Sequence, residues 1–317
     1  MNKLLEVKNL KISFNEVEAV KGLSFDLDRK EVLGIVGESG SGKSVTLLSI
    51  SRLGKPGMKV EADSILFEGE ELLQLSDEDF RKLRGPGMSM VFQDPMNALN
   101  PTKTIGQQLE EVFRAHEIEG NHKPEIIETM KEMGLPRAEE LYDDYPHELS
   151  GGMLQRVIIA MAMLLKPKLI LADEPTTALD VSSEALILKL MKKLKDKYDT
   201  SIILISHDMR VIEQVSDRII VFYLGNMVEM ASRETILSKP KHPYTYGLMQ
   251  VNNIDKNRDE KLYTIEGRVP RMGESITGCP FHPRCFKAQE RCRREQPEIT
   301  GTEHQVACFY PLGGEDE

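Results

Sequence analysis

Gly37-Glu38-Ser39-Gly40-Ser41-Gly42-Lys43-Ser44 fits G-x-x-x-x-G-K-[ST], the pattern of a loop that cradles phosphate groups. The flanks agree with the pattern. The apolar run Val32 to Val36 reads as a strand leading into the loop, and Val45, Leu47, Leu48 and Ile50 supply the apolar positions of a helix behind it. Glycines let a backbone wrap closely around an anion, because a side chain would block the approach and some positions need positive φ. The N–H groups of the loop and the positive end of the helix then face the phosphates. In such a loop Lys43 reaches the β- and γ-phosphates, and the Ser44 hydroxyl holds Mg²⁺. The stretch therefore predicts a nucleotide site.

Around it the chain has the patterning of an α/β protein. Leu5, Val7, Leu10 and Ile12, then Leu23, Phe25 and Leu27, alternate with polar residues and read as short antiparallel strands. Ile65-Leu66-Phe67 continues that layer and turns at Gly69. From about residue 94 the spacing becomes helical, in Ile105, Leu109, Val112, Phe113 and in Ile126, Ile127, Met130. This predicts a helical insertion. Leu169 to Ala172 and Ile202 to Ile205 are continuous apolar runs, as expected of parallel strands covered on both faces. Arg218 to Met230 reads as a hairpin broken at Gly225-Asn226. Beyond residue 235 the periodicity weakens, and a C-terminal extension begins.

The 317 residues carry a net charge of −10, which gives no electrostatic basis for general nucleic-acid binding. The longest apolar runs, such as Val157 to Leu165, fall short of the roughly 20 residues that span a bilayer. Met1-Asn2-Lys3 leads straight into strand-like alternation without a signal-peptide pattern, so a cytosolic chain is expected, with any membrane role carried by a partner.

Asp173-Glu174 stands at the end of the Leu169 run, and ligands of open α/β sheets bind at the carboxyl ends of strands. Asp173 is placed to hold Mg²⁺, and Glu174 to polarise an attacking water. His207 follows the Ile202 strand in the same way and is a candidate partner for a γ-phosphate oxygen. Gln93, after Met90-Val91-Phe92, is a weaker candidate for Mg²⁺ or the attacking water. Ser150-Gly151-Gly152 opens another helix with an N-cap serine and two glycines, a second start suited to an anion. One triphosphate does not need two such starts, unless the second serves the nucleotide of a partner subunit.

At this point the chain resembles the ATP-binding cassette ATPases over about residues 3 to 235. Gly37–Ser44 is like the family's Walker A loop, with Val45 behind it, and Leu169–Glu174 is like its Walker B strand. Leu149–Met153 resembles its signature motif, Ala178-Leu179-Asp180 its D-loop, His207 its switch histidine and Gln93 its Q-loop glutamine. Phe14 matches the aromatic residue that stacks on adenine. The resemblance implies a P-loop ATPase fold with a RecA-like core, an antiparallel β subdomain and a helical subdomain at about residues 94–165, within a cassette domain over residues 1–235. It implies a head-to-tail dimer with two ATP molecules, each held by one subunit's Walker A loop and by Ser150, Gly151 and Gly152 of the other. It implies Glu174 as base, His207 on the γ-phosphate, and Ser44, Gln93 and Asp173 around Mg²⁺.

Met153 departs from the glutamine usual in the signature motif. Together with Gln155-Arg156, Gln93 to Pro101 and His242-Pro243-Tyr244-Thr245, it resembles one ATPase subunit of bacterial dipeptide and oligopeptide importers. That subgroup implies a heterodimer with a paralogous ATPase subunit, or else a homodimer. It further implies two transmembrane permease subunits, an indirect link to an extracytoplasmic peptide-binding protein, and a place on the cytoplasmic face of the membrane. The rival expectations are the same machine carrying a nickel or other metal chelate, and a soluble cassette ATPase not coupled to transport.

All four cysteines, Cys279, Cys285, Cys292 and Cys308, fall in the extension over residues 236–317. In a reducing compartment such a group reads as metal ligands before disulfides. The spacing lacks the C-x2-C knuckle of zinc ribbons and the C-x2-C-x2-C run of bacterial ferredoxins, so it does not choose between Zn²⁺ and a [4Fe–4S] cluster. The resemblance to peptide-importer ATPases implies the cluster.

Overall fold

N-terminal alternation yields two long strands, β1 (Lys3–Phe14) and β2 (Val17–Asp28), followed by the fully buried β3 (Val32–Val36) and helix α1 (Lys43–Ile50). The computed structural model describes residues 3–177, 179–252, 264–271 and 273–313. Next come β4 (Met58–Glu61), β5 (Ser64–Phe67), β6 (Glu70–Glu71), α2 (Asp77–Leu83) and β7 (Met88–Val91). A helical stretch follows, with α3 (Pro95–Ala98), α4 (Ile105–Ala115), α5 (Lys123–Glu132), α6 (Ala138–Leu141) and α7 (Gly151–Met163). Then come β8 (Leu169–Asp173), α8 (Val181–Tyr198), β9 (Ser201–Ser206), α9 (Met209–Val215), β10 (Arg218–Tyr223), β11 (Asn226–Ser232), α10 (Arg233–Ser238) and α11 (Pro243–Asn252). The C-terminal segment adds α12 (Glu290–Arg294) and β12 (Gln305–Val306).

The chain divides into two compact units, residues 1–71 with 204–317, and residues 72–203. In the first unit β1 pairs antiparallel with β2, β4 and β5. These strands are longer than the short ones expected from alternation, because β1 absorbs irregularity in bulges. Between Val7 and Leu10 the register shifts where Asn9 takes a left-handed φ of 52° and its N–H bonds Ser24 Oγ at 2.9 Å. Elsewhere in this unit β3 lies parallel to β10, β10 is antiparallel to β11, and β11 is antiparallel to β12. Helix α9 lies close on β3 because Gly34 has no side chain. A Cβ there would meet Ser216 Oγ at 2.4 Å and Ile212 Cγ2 at 2.5 Å. The β10–β11 hairpin turns at Leu224-Gly225, with φ of 44° and 80°, and not at Gly225-Asn226. Both φ are positive, as a two-residue hairpin turn of matching twist requires. Asn226 instead opens β11, and its Nδ2 donates to Leu224 O at 2.8 Å.

The second unit holds α2 to α8 and the parallel pair β7 and β8, with Met88 to Val91 opposite Leu169 to Ala172. Every residue of β8 is buried, the signature of a strand covered on both faces. Helix α7 runs through this unit and packs on α3, α4, α5, α8 and β7. Its apolar residues Leu154, Val157, Ile158 and Ile159 are buried.

Candidate functional site

The loop Gly37–Ser44 joins β3 to α1, and its glycines are needed for two different reasons. At Gly37 the need is proximity, since a Cβ would lie 2.1 Å from the carbonyl oxygen of Phe222 on β10. At Gly42 proximity and conformation coincide, with φ at 104° and a Cβ that would meet Ala19 O at 2.4 Å. Gly42 has no side chain to cap α1, and the first turn, Lys43-Ser44-Val45-Thr46, carries no acid, so nothing within the turn offsets the positive end of the helix. Lys43 is buried, and its Nζ donates to Gly37 O at 2.7 Å and to Glu38 O at 2.9 Å. Ser39 and Gly40 are exposed at the loop tip, Ser41 is buried, and Ser44 and Val45 are half-buried. A glycine-rich loop closed by the start of a helix is the kind of backbone that binds anions. In the same unit Phe14 is half-buried at the end of β1, paired with Val17 and Met58. His207 is exposed between β9 and α9, next to Asp208, which caps α9 by accepting the Arg210 N–H at 2.8 Å.

In the second unit the structure brings Gln93 and Glu174 together. Gln93 Nε2 donates to Glu174 Oε2 at 3.1 Å, and Thr177 Oγ1 donates to the same oxygen at 2.8 Å. Thr177 was not singled out from the sequence; its one signal is its place in the turn after Glu174. Asp173 ends β8, and both carboxylates are buried. Glu174 holds a left-handed φ of 45°. For a residue with a Cβ that backbone costs about 1–3 kcal/mol and concentrates at functional sites.

Ser150 caps α7, its Oγ accepting the Met153 N–H at 3.4 Å, and Ser150 and Gly151 are exposed. A Cβ on Gly152 would lie 2.9 Å from Ser183 Oγ, so the start of α7 sits against the first turn of α8. Asp180 caps that turn, accepting the N–H groups of Ser182 and Ser183 at 3.0 Å each. Hydrogen bonds from the Ser182 and Ser183 hydroxyls hold its carboxyl well below the usual range. Ala178, at the start of the D-loop resemblance, lies outside the described residues.

The four cysteines are unbridged thiols, and all line one cavity together with Phe281, His282 and Phe309. Burial, and then the neighbouring thiols, push Cys279 up to about 11 and Cys308 to about 12. Among the described residues no group of three or more His, Cys, Asp or Glu side chains could hold a metal ion as placed. Cys279, Cys285, Cys292 and Cys308, expected as the ligands of a [4Fe–4S] cluster or Zn²⁺, thus share a cavity but as placed form no such metal-holding group. His282 Nδ1 pairs with Cys279 O at 3.0 Å and His304 Nε2 with Glu229 at 2.6 Å, so both rings have partners of their own.

Comparison with known proteins gives two family matches. Residues 20–177 match the ABC transporter model, and residues 228–292 match the oligopeptide/dipeptide transporter C-terminal region. The dipeptide transport ATP-binding protein DppD of Bacillus subtilis is 45% identical, covering 98% of this chain and 95% of its own length. The oligopeptide transport ATP-binding protein AppD of the same organism is 44% identical, with 98% and 97% covered. Among solved structures, a dimeric ATP-binding cassette in a post-hydrolysis state bound to ADP and Pi matches with a TM-score of 0.64. It is 28% identical and covers 72% of this chain and 98% of that one.

Proposed function

The chain belongs to the ABC transporter family and carries its oligopeptide/dipeptide C-terminal region, and from that premise we propose that it is the ATP-hydrolysing subunit of a dipeptide or oligopeptide importer. The observation that carries the substrate class is the 45% identity, over nearly the full length of both chains, to a dipeptide transport ATP-binding protein.

In this reading the N–H groups of Gly37–Ser44 and the Lys43 ammonium bind the phosphates, and Phe14 stacks on adenine. Ser44, Gln93 and Asp173 hold Mg²⁺, which supplies charge neutralisation at the β- and γ-phosphates. Glu174 takes a proton from the water that attacks the γ-phosphorus, the bond to the bridging oxygen breaks, and ADP leaves. His207 hydrogen-bonds a γ-phosphate oxygen. The two bonds that Glu174 accepts from Gln93 and Thr177 support this role, because they fix the carboxylate's direction before ATP arrives. Ser150, Gly151 and Gly152 serve the nucleotide of a second ATPase subunit, a paralogue or another copy.

Among the described residues no helix is long and apolar enough to cross a membrane. Attachment to the cytoplasmic membrane face runs instead through two permease subunits. The exposed apolar side chains Phe92 and Met96 on either side of Gln93-Asp94 suit that contact. The peptide-binding protein acts through the permeases, and the net charge of −10 offers nothing to nucleic acid.

For the cysteines the reading is a [4Fe–4S] cluster. What supports it is the donor set, four thiols lining one cavity, which is the ligand set of a [4Fe–4S] cluster and also of a structural zinc. When bound the cluster ties together a loop-rich segment that has little core of its own. Iron, sulfide and zinc analysis of anaerobically purified protein tests this. About four iron and four sulfide per chain are expected; one zinc and no iron would overturn it. The transport reading is tested by competitive dipeptide uptake in a deletion strain, where uptake should fall; unchanged uptake would refute it.

A further inference from the structure

The second residue of the phosphate loop, Glu38, is gripped from the C-terminal segment. Arg284 meets its carboxylate with both arms of the guanidinium, Nη1 to Oε2 at 2.7 Å and Nη2 to Oε1 at 3.0 Å. The Arg284 side chain is only 5% exposed, and its Nε and Nη2 also donate to the carbonyls of Glu266 and Ile265. The backbone of Glu38 is held as well. Its N–H donates to Tyr244 Oη at 3.1 Å, and its carbonyl accepts the Lys43 ammonium and the Ser41 N–H. Tyr223, Tyr244 and Phe281 pack edge-on or tilted behind these groups, with centroids 4.8 to 5.2 Å apart.

We infer that Arg284 is a positioning residue for ATP binding: it neutralises and fixes Glu38, so that the C-terminal segment sets the affinity of the phosphate loop. The chemistry requires such a partner. A carboxylate in a loop that must accept a triphosphate repels its ligand, and a half-buried carboxylate without a counter-ion is costly in its own right. A bidentate guanidinium removes the charge and fixes the direction of the side chain together. Because the Glu38 carbonyl accepts from Lys43, the same clamp helps to set where the ammonium waits before it turns to phosphate. This role rests on reading Gly37–Ser44 as the ATP loop.

The test uses the full-length chain, with ATP affinity measured by displacement of a fluorescent nucleotide and KM and kcat measured by phosphate release. Arg284→Ala is expected to weaken ATP binding by about tenfold, equivalent to about 1.4 kcal/mol, with KM affected more than kcat. Adding Glu38→Gln to Arg284→Ala should restore most of the affinity, because the unpaired charge is gone. Raising ionic strength should narrow the deficit of Arg284→Ala by screening the carboxylate. Wild-type affinity in a folded Arg284→Ala protein would overturn the inference. So would a double variant as weak as Arg284→Ala, since packing alone would then explain the loss. If Arg284→Ala does not fold, Arg284→Lys keeps the charge but not the fork. A few-fold weakening of ATP binding is then expected, and wild-type affinity would overturn the inference. Failure of the underlying ATP reading shows separately, as a wild-type chain that binds no ATP or a Lys43→Ala chain that binds it undiminished.

Discussion

Replacing Gly37 by alanine tests whether the phosphate loop is shaped by what it touches. The added Cβ would lie 2.1 Å from Phe222 O, where ordinary contact begins at 3.4 Å, so loop and strand must part by about 1.3 Å. Strand β10 cannot move readily, because it is hydrogen-bonded to β3 on one side and β11 on the other. The loop therefore moves, carrying with it the carbonyl that holds Lys43 Nζ at 2.7 Å. Overpacking of this kind costs about 1–3 kcal/mol of stability. A displacement of that size at a site built on positioned N–H groups should weaken ATP binding by at least about tenfold. Gly40→Ala is the control: nothing stands within 4 Å of its Cβ, and only the φ of 76° opposes it, at a cost of about 1 kcal/mol. A urea midpoint and an ATP titration on each variant decide the matter. A Gly37→Ala protein with wild-type midpoint and affinity would refute the close-approach argument.

Three further outcomes are expected. Glu174→Gln should bind ATP normally while its hydrolysis rate falls by about 10²–10⁴; normal turnover would exclude Glu174 as base. Glu229 is fully buried and accepts the N–H groups of Lys241 and His242 at 2.7 and 2.9 Å, with His304 on the same carboxylate. Glu229→Ala leaves those donors unpaired and should cost about 3–5 kcal/mol in denaturant unfolding. The His242 ring is buried and accepts the Tyr244 N–H at 3.1 Å, and burial lowers it to about 3. The unfolded chain therefore binds a proton below about pH 6.5 that the folded chain refuses. The contribution of His242 is complete above that pH and declines by about 2 kcal/mol between pH 7 and 5. His242→Phe should flatten that part of the pH–stability profile.

Local physics made much of this chain legible. The phosphate loop, β3 and α1 follow from a motif between an apolar run and a helical spacing. The covered strands β8 and β9 follow from unbroken apolar runs, and the cap at Ser150 from its own side chain. Glu174 and Gln93 were each singled out by their place at a strand end, and the structure joins them by one hydrogen bond. What escaped the sequence reading is what depends on contacts between distant residues. Arg284 and Glu38 are separated by 246 positions, and neither residue type announces a partner. Tyr223, Tyr244 and Phe281 each look like an ordinary aromatic until the chain folds back. The extension beyond residue 235 has weak periodicity because α12 and β12, with five and two residues, are too short to repeat an apolar spacing. The cysteine spacing fixed a shared neighbourhood but not the distances between sulfurs, which the tertiary path of the loop decides.

Strand β12 has a bearing on how the protein stays in solution. It pairs Val306 with Glu229 and Gln305 with Met230, and Ala307 N–H continues the ladder to Val228 O at 2.9 Å. Its outer side is closed in turn by Thr300, which exchanges N–H···O bonds with Val306 at 2.9 and 3.0 Å. Without this short tail the ladder groups of β11, flanked by the apolar Met227, Val228, Met230 and Ala231, would stand open along a sheet margin. An open margin of that kind is a template on which other chains can stack. A chain cut after residue 235 would therefore be expected to precipitate before its ATPase could be assayed, so the tail has to be probed by point substitution and not by deletion.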